Sequence, residues 1–163
     1  MFTARTGEDN LFYGITGLPS LADMDKDGDV DLVVTKTDID VGTVYYYENT
    51  GSNNHPLFTE RTGMEGDPFR SFFSLRTPPE FVDLDKDGDA DFALTLGTDL
   101  RYYVNTKTSF PEFTERTQTA NPFNEIADTL TNDAYGGGAL TFADLDDDGL
   151  LDYVLVVSGD IHY

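Results

Sequence analysis

Three observations predict an all-β chain of repeated four-stranded antiparallel units: an internal period of about 60 residues, an Asp-rich turn once in each period, and short strand-like segments between the turns. The turn Asp23-Met24-Asp25-Lys26-Asp27-Gly28-Asp29-Val30-Asp31 returns as Asp83-Leu84-Asp85-Lys86-Asp87-Gly88-Asp89-Ala90-Asp91. It returns again as Asp144-Leu145-Asp146-Asp147-Asp148-Gly149-Leu150-Leu151-Asp152. The first Asp advances by 60 residues and then by 61.

Other landmarks keep the same order. Phe-Thr-x-Arg-Thr stands at 2–6, 58–62 and 113–117, and each copy is followed by Asn10-Leu11-Phe12, Asp67-Pro68-Phe69 or Asn121-Pro122-Phe123. Tyr-Tyr-x-Asn-Thr stands at 46–50 and 102–106. The landmarks divide the chain, as one repeat domain, into units 1–57, 58–112 and 113–163. The first unit is led by the fourth strand of another blade at 2–6, and the third is incomplete.

Segments between the landmarks are rich in Val, Thr, Tyr and Phe and bounded by Gly, Pro, Asn and Asp, the composition of strands closed by turns. In the middle unit this places strands at 80–84, 91–96, 100–105 and 112–116. Four short antiparallel strands at a fixed period form a β-propeller blade, whose twisted sheet packs its faces on its neighbours. A sandwich gives no reason for the period. The distance from Phe12 to Asp23 is 11 residues, from Phe69 to Asp83 14 and from Phe123 to Asp144 21, so the third unit carries an insertion. That insertion contains Gly136-Gly137-Gly138, read as a plain mobile loop because no Lys-Ser/Thr and helix follow it.

The formal net charge is -21, from 31 acidic and 10 basic side chains, which excludes a partner recognised through clustered Lys and Arg on phosphates. Many of the acids fall in the three turns. Alternate residues of a tight turn can aim carboxylates at one centre, so Asp23, Asp25 and Asp27, Asp83, Asp85 and Asp87, and Asp144, Asp146 and Asp148 supply hard oxygen ligands. Gly28, Gly88 and Gly149 allow the chain to fold round the ion with positive φ. The carbonyls of Asp29, Asp89 and Leu150 add to the shells, and Asp31, Asp91 and Asp152 close them as bidentate carboxylates.

The opening resembles an EF-hand loop, but Val34, Leu94 and Leu155 stand where that loop has its closing Glu. Without a cation the converging carboxylates would repel by about 4 kcal/mol per pair at ~4 Å and an effective dielectric of ~20. Three calcium ions, one per turn, are therefore expected. Magnesium resists an all-protein shell.

The pattern Phe-x-Asp-x-Asp-x-Asp-Gly-x-x-Asp at 81–91 and 142–152, with the Tyr-Tyr-x-Asn-Thr strand, resembles FG-GAP/VCBS-type calcium-binding propeller repeats such as the blades of integrin α-subunits. The first copy has Leu21 at the Phe position, and the literal Phe-Gly and Gly-Ala-Pro dipeptides are missing. The resemblance implies secreted or surface proteins whose blades are stiffened by calcium and bind proteins or glycans. Some members are attached to carbohydrate-active enzymes.

No catalytic constellation is expected. His55 beside Pro56 and His162 on a strand have no Ser or Cys pattern to activate. Recurring Arg5, Arg61 and Arg116 read as structural ion pairs, and Tyr45, Tyr46, Tyr47, Tyr102, Tyr103 and Tyr163 as packing residues, with sugar stacking the alternative.

The leading function is a non-catalytic, calcium-dependent extracellular or cell-surface scaffold for protein contacts or self-assembly. A glycan-binding propeller and the propeller of a polysaccharide-active enzyme remain open beside it. Its partners would be other copies of itself, or the rest of a longer propeller chain, with no nucleic acid. No apolar run approaches the ~20 residues needed to span a bilayer.

Overall fold

The computed structural model describes residues 4–37, 42–63, 66–72, 75–96, 99–107, 110–127, 138–157 and 159–163. Strands β1 (Leu18–Ala22), β2 (Asp31–Thr37), β3 (Gly42–Asn49) and β4 (Phe58–Arg61) form one antiparallel meander. A second contains β5 (Glu80–Val82), β6 (Asp91–Leu96), β7 (Asp99–Asn105) and β8 (Phe113–Arg116). A third sheet has β9 (Ala139–Ala143), β10 (Asp152–Val157) and β11 (Asp160–His162).

These are propeller-type blades, and their registers repeat. Ala22 pairs with Asp31, Val82 with Asp91, and Ala143 with Asp152. In every sheet the acidic turn therefore joins the first strand to the second.

The second strands are buried on both sides. Leu32, Val33, Val34 and Thr35, and likewise Phe92, Ala93, Leu94 and Thr95, have almost no exposure, so these strands read as unbroken apolar runs capped by Thr. The second sheet packs on a neighbour at each face, whereas the outer side of β2 is covered by Ile15, Tyr45 and Phe58 of its own unit. Between the first two sheets, Val33, Val44 and Tyr46 meet Phe69, Phe92, Leu94 and Tyr103. Between the second and third, Ala93, Tyr102 and Val104 meet Phe123 and Leu155.

Phe69 is the hub of the first interface, with ring centroids of Phe113, Phe92 and Phe81 at 5.3, 5.8 and 6.0 Å. Ser20 Oγ donates to the Pro79 carbonyl (2.6 Å), Thr95 Oγ1 to Gly138 O (2.8 Å) and Thr141 Oγ1 to Glu80 (2.9 Å), tying adjacent sheets together.

The strands expected in the middle unit are present, with β5 ending at Val82 rather than at 84. Asp83 leaves the strand because its Oδ2 accepts the Gly88 N–H (3.0 Å) and so belongs to the turn. The unit boundaries at 58 and 113 fall one strand too early. Tyr46 pairs with Arg61 and Tyr102 with Arg116, so β4 and β8 complete the preceding sheets. Short hairpin turns hold them there: Thr50 N–H donates to Leu57 O and Thr106 N–H to Glu112 O, both at 2.9 Å.

The expected strand at 2–6 falls partly outside the described residues, and 4–6 are not in a strand. Most of the insertion in the third unit, with Gly136 and Gly137, also lies outside them. Gly138, just before β9, packs so closely on β10 that a Cβ there would come within 2.1 Å of the Val156 carbonyl.

Candidate metal centres

Each acidic turn closes on its own first carboxylate. Oδ2 of Asp23, Asp83 and Asp144 accepts the N–H of Gly28, Gly88 and Gly149 at 3.0, 3.0 and 2.9 Å. Asp27 Oδ1, Asp87 Oδ1 and Asp148 Oδ1 accept the N–H two residues on, at 2.8, 2.9 and 2.8 Å.

Two left-handed residues curl every turn. The glycines have φ of 92°, 88° and 83°, as their residue type announces. Lys26, Lys86 and Asp147 at the fourth position have φ of 59°, 62° and 62°, an uncommon conformation for side-chain-bearing residues that the sequence pattern does not reveal.

The curl brings acids together. Ligand oxygens of Asp23, Asp25 and Asp27 lie within 4.8 Å of one another, as do those of Asp83, Asp85 and Asp91, and of Asp144, Asp146 and Asp152. Positions one and three thus converge in all three turns. The fifth residue joins them in the first turn and the ninth in the other two.

Oδ1 of Asp23 and Oδ1 of Asp83 are buried and take no hydrogen bond among the described residues, although their sister oxygens are bonded. A buried carboxylate oxygen without a partner is costly. An all-oxygen donor set that includes an orphaned buried oxygen suits a hard cation, so the residues present fit a metal of that kind.

The ninth residue does more than was expected of it. Asp31 Oδ1 accepts Asn49 N–H (2.7 Å), while Oδ2 accepts Met24 N–H (3.1 Å) and the Tyr46 hydroxyl (3.0 Å). Asp91 likewise accepts the Tyr102 hydroxyl and Asn105 N–H (2.8 Å). An ionised carboxylate has about four acceptor sites, so Asp31 has one left and bidentate closure by it does not fit. Burial pushes the Asp31 carboxyl up to about 6, against the pull of these three donors. Asp91 is raised for the same first reason.

The Tyr-Tyr-x-Asn-Thr landmark is thereby explained. Its first Tyr pins the closing Asp, and its Asn donates a backbone N–H to the same carboxylate. The Asn side chain holds the next hairpin, with Asn49 Oδ1 accepting from Gly51 and Leu57, and Asn105 Oδ1 from Lys107 and Glu112. Its recurrence was the available signal. Of the tyrosines expected to pack, Tyr46, Tyr47, Tyr102 and Tyr103 are buried, whereas Tyr163 is exposed.

Arg61 forks onto Glu48 at 2.7 and 2.6 Å. Arg116 has Val104 where Arg61 has Glu48, so that ion pair does not recur.

Fold and turns together define a repeat protein of propeller-type blades, each with an Asp-lined loop between its first and second strands. Residues 23–94 match the family model described as an FG-GAP-like repeat, and over that span the chain is similar to such repeats. The span runs from the first acidic loop through the second to β6, and the third sheet repeats its register. No curated protein and no solved structure matches the chain significantly. Among the described residues, no helix is long and apolar enough to cross a membrane.

Proposed function

We propose that this chain is a non-catalytic, calcium-stiffened set of propeller blades that serves outside the cell as a scaffold for assembly or protein contact. The observation that carries the metal reading is the buried, unpartnered Oδ1 of Asp23 and of Asp83 inside converging carboxylates. Calcium would be held by the converging acids of each loop, with the carbonyls of Asp29, Asp89 and Leu150 filling the shells. Bound there, it supplies charge neutralisation and a rigid turn rather than chemistry on a substrate. Extracellular modules of this kind work at about 10⁻⁴ to 10⁻³ M, and the FG-GAP-type repeat fits that setting.

The scaffold reading rests on the two outer faces. Leu100 and Tyr102, buried against the third sheet with 2% and 4% exposure, have Ile161 and Tyr163 as their counterparts there, at 72% and 69%. On the first sheet, Phe12, Leu21, Leu32 and Val34 line an apolar groove of about 210 Å³ where Phe69, Phe81, Phe92 and Leu94 of the second sheet are covered by the first. Each end therefore presents half of an interface that the interior of the molecule completes. A further blade of the same kind, from a second copy or a longer chain, is the fitting partner.

Calorimetry and light scattering test this. About three calcium ions per chain and a mass above 18.1 kDa at micromolar concentration are expected. A folded sample that takes up no calcium removes the metal reading, and a stable 18.1 kDa species with protected end strands removes the assembly reading.

A cleft of about 620 Å³ favours a second reading, a glycan site. Phe72 and Phe110 line it beside Asp67, Arg70 and Glu112. A glycan array with and without calcium separates it from the first.

A further inference from the structure

The first two acidic loops are not independent in space. Lys26, the fourth residue of the first loop, reaches across a cleft of about 300 Å³ to the second loop, where its ammonium contacts Asp89 Oδ1. It also lies 3.7 Å from where a side chain at Gly88 would begin. Asp89 is the seventh residue of its loop, the one whose carbonyl is expected in the metal shell, and it is 5% exposed. Its Oδ1 takes no hydrogen bond, so among the described residues Lys26 is the counter-charge at that buried oxygen.

The second pair of loops lacks the acid that such a bridge needs. Lys86 stands in the second loop where Lys26 stands in the first, but the seventh residue of the third loop is Leu150, an exposed apolar side chain. Among the described residues Lys86 forms no ion pair within 4.0 Å.

We propose that Lys26 couples the first two metal sites, so that filling one strengthens the other, while the third site binds independently. This deepens the calcium reading and rests on it. Lys26 lies between two ligands of the first site, Asp25 and Asp27, and its left-handed backbone is part of what aims them inward. An empty first site leaves those carboxylates repelling one another and the loop free to open. Opening withdraws Lys26 and strands Asp89, whose burial without a counter-charge disfavours the backbone position that the second site needs.

A cation in the first loop therefore pre-organises the second. Linkage makes the effect reciprocal, and one partly exposed ion pair places it at the low end of site-to-site couplings, about five-fold in affinity.

The loops carry their own reporters. The N–H groups of Gly28, Gly88 and Gly149 each donate to the first carboxylate of one loop, so their NMR signals follow the three sites separately in a titration with calcium. In the native chain the Gly28 and Gly88 signals should move together and Gly149 apart. Asp25→Ala, which disables the first site, should raise the calcium midpoint at Gly88 about five-fold and leave Gly149 in place.

In a Lys26→Met background the same change should leave Gly88 within two-fold of its parent. Leu150→Asp should create the missing bridge, so that Asp85→Ala then shifts Gly149. If Asp25→Ala does not fold, Asp85→Ala read at Gly28 measures the same factor by reciprocity. A Gly88 midpoint indifferent to the first site, or equally sensitive with and without Lys26, overturns the coupling and leaves calcium binding standing. Glycine signals that ignore calcium altogether overturn both.

Discussion

Asp83→Asn tests the metal reading by the sign of its effect rather than by its size. In the native chain Asp83 Oδ2 holds Gly88 N–H at 3.0 Å, Oδ1 is buried without a partner among the described residues, and the carboxylate sits in a cluster with those of Asp85 and Asp91. Like charges at roughly 5 Å repel by about 3 to 4 kcal/mol per pair at an effective dielectric of ~20, and by about 1 kcal/mol in bulk water. Asn keeps an oxygen for Gly88 and removes one charge. In a chelator the variant should therefore be as stable as the native chain or more so.

In ~10 mM calcium the order should reverse. A site with a dissociation constant of about 10⁻⁴ to 10⁻³ M adds roughly 1.4 to 2.7 kcal/mol by mass action, which the variant forgoes at the second loop. At about 2 to 4 °C per kcal/mol for a chain of this size, calcium should raise the native melting temperature by ~3 to 10 °C more than it raises that of the variant. The native chain itself should gain about three times that amount on loading. Thermal unfolding followed by circular dichroism, in calcium, magnesium and chelator, reads all of these. A variant destabilised equally in every buffer, or a native chain whose melting temperature ignores calcium, refutes the reasoning.

Phe69→Ala should cost about 3 to 5 kcal/mol in urea unfolding, because the ring is fully buried at the junction of the first two blades and touches five other aromatic rings. Tyr46→Phe removes a donor from the buried Asp31 carboxylate and should cost about 1.5 to 3 kcal/mol, with calcium uptake at the first loop weakened in the same sample.

Asp67→Asn should stabilise the chain at neutral pH and lose that advantage in acid. Burial holds the Asp67 carboxyl above its ordinary value against the Phe69 N–H and Arg70. The folded state thus keeps the proton at pH values where the unfolded chain has released it, and stability falls as pH rises from the unfolded to the folded pKa. Asn10 and Asn121 already occupy the matching positions and accept the same N–H, at 3.1 and 3.0 Å. A stability difference that does not change between pH 3 and 7 would contradict the assignment.

What could be read from the chain alone was whatever depends on near neighbours. Alternating Asp residues with Gly at the sixth place specify a turn that points carboxylates inward, and strand composition between such turns places β6 to the residue. Both are short-range, since turn conformation and side-chain alternation are settled within a few residues.

Contacts between distant segments were hidden. Asp31 looks like any other acid in its loop until β3 arrives with Tyr46 and Asn49, 15 and 18 residues on, and takes two of its acceptor sites beside the one that Met24 N–H already fills. Asp89 and Leu150 occupy equivalent places in the repeat, yet only the packing of one blade on the next puts a lysine beside the first. β4 carries the landmark that opens a unit and still pairs backwards, because a short hairpin returns it to β3. Spacing along the chain decides which residues can gather round an ion; only the packing of the sheets decides which of their oxygens are left free to hold it.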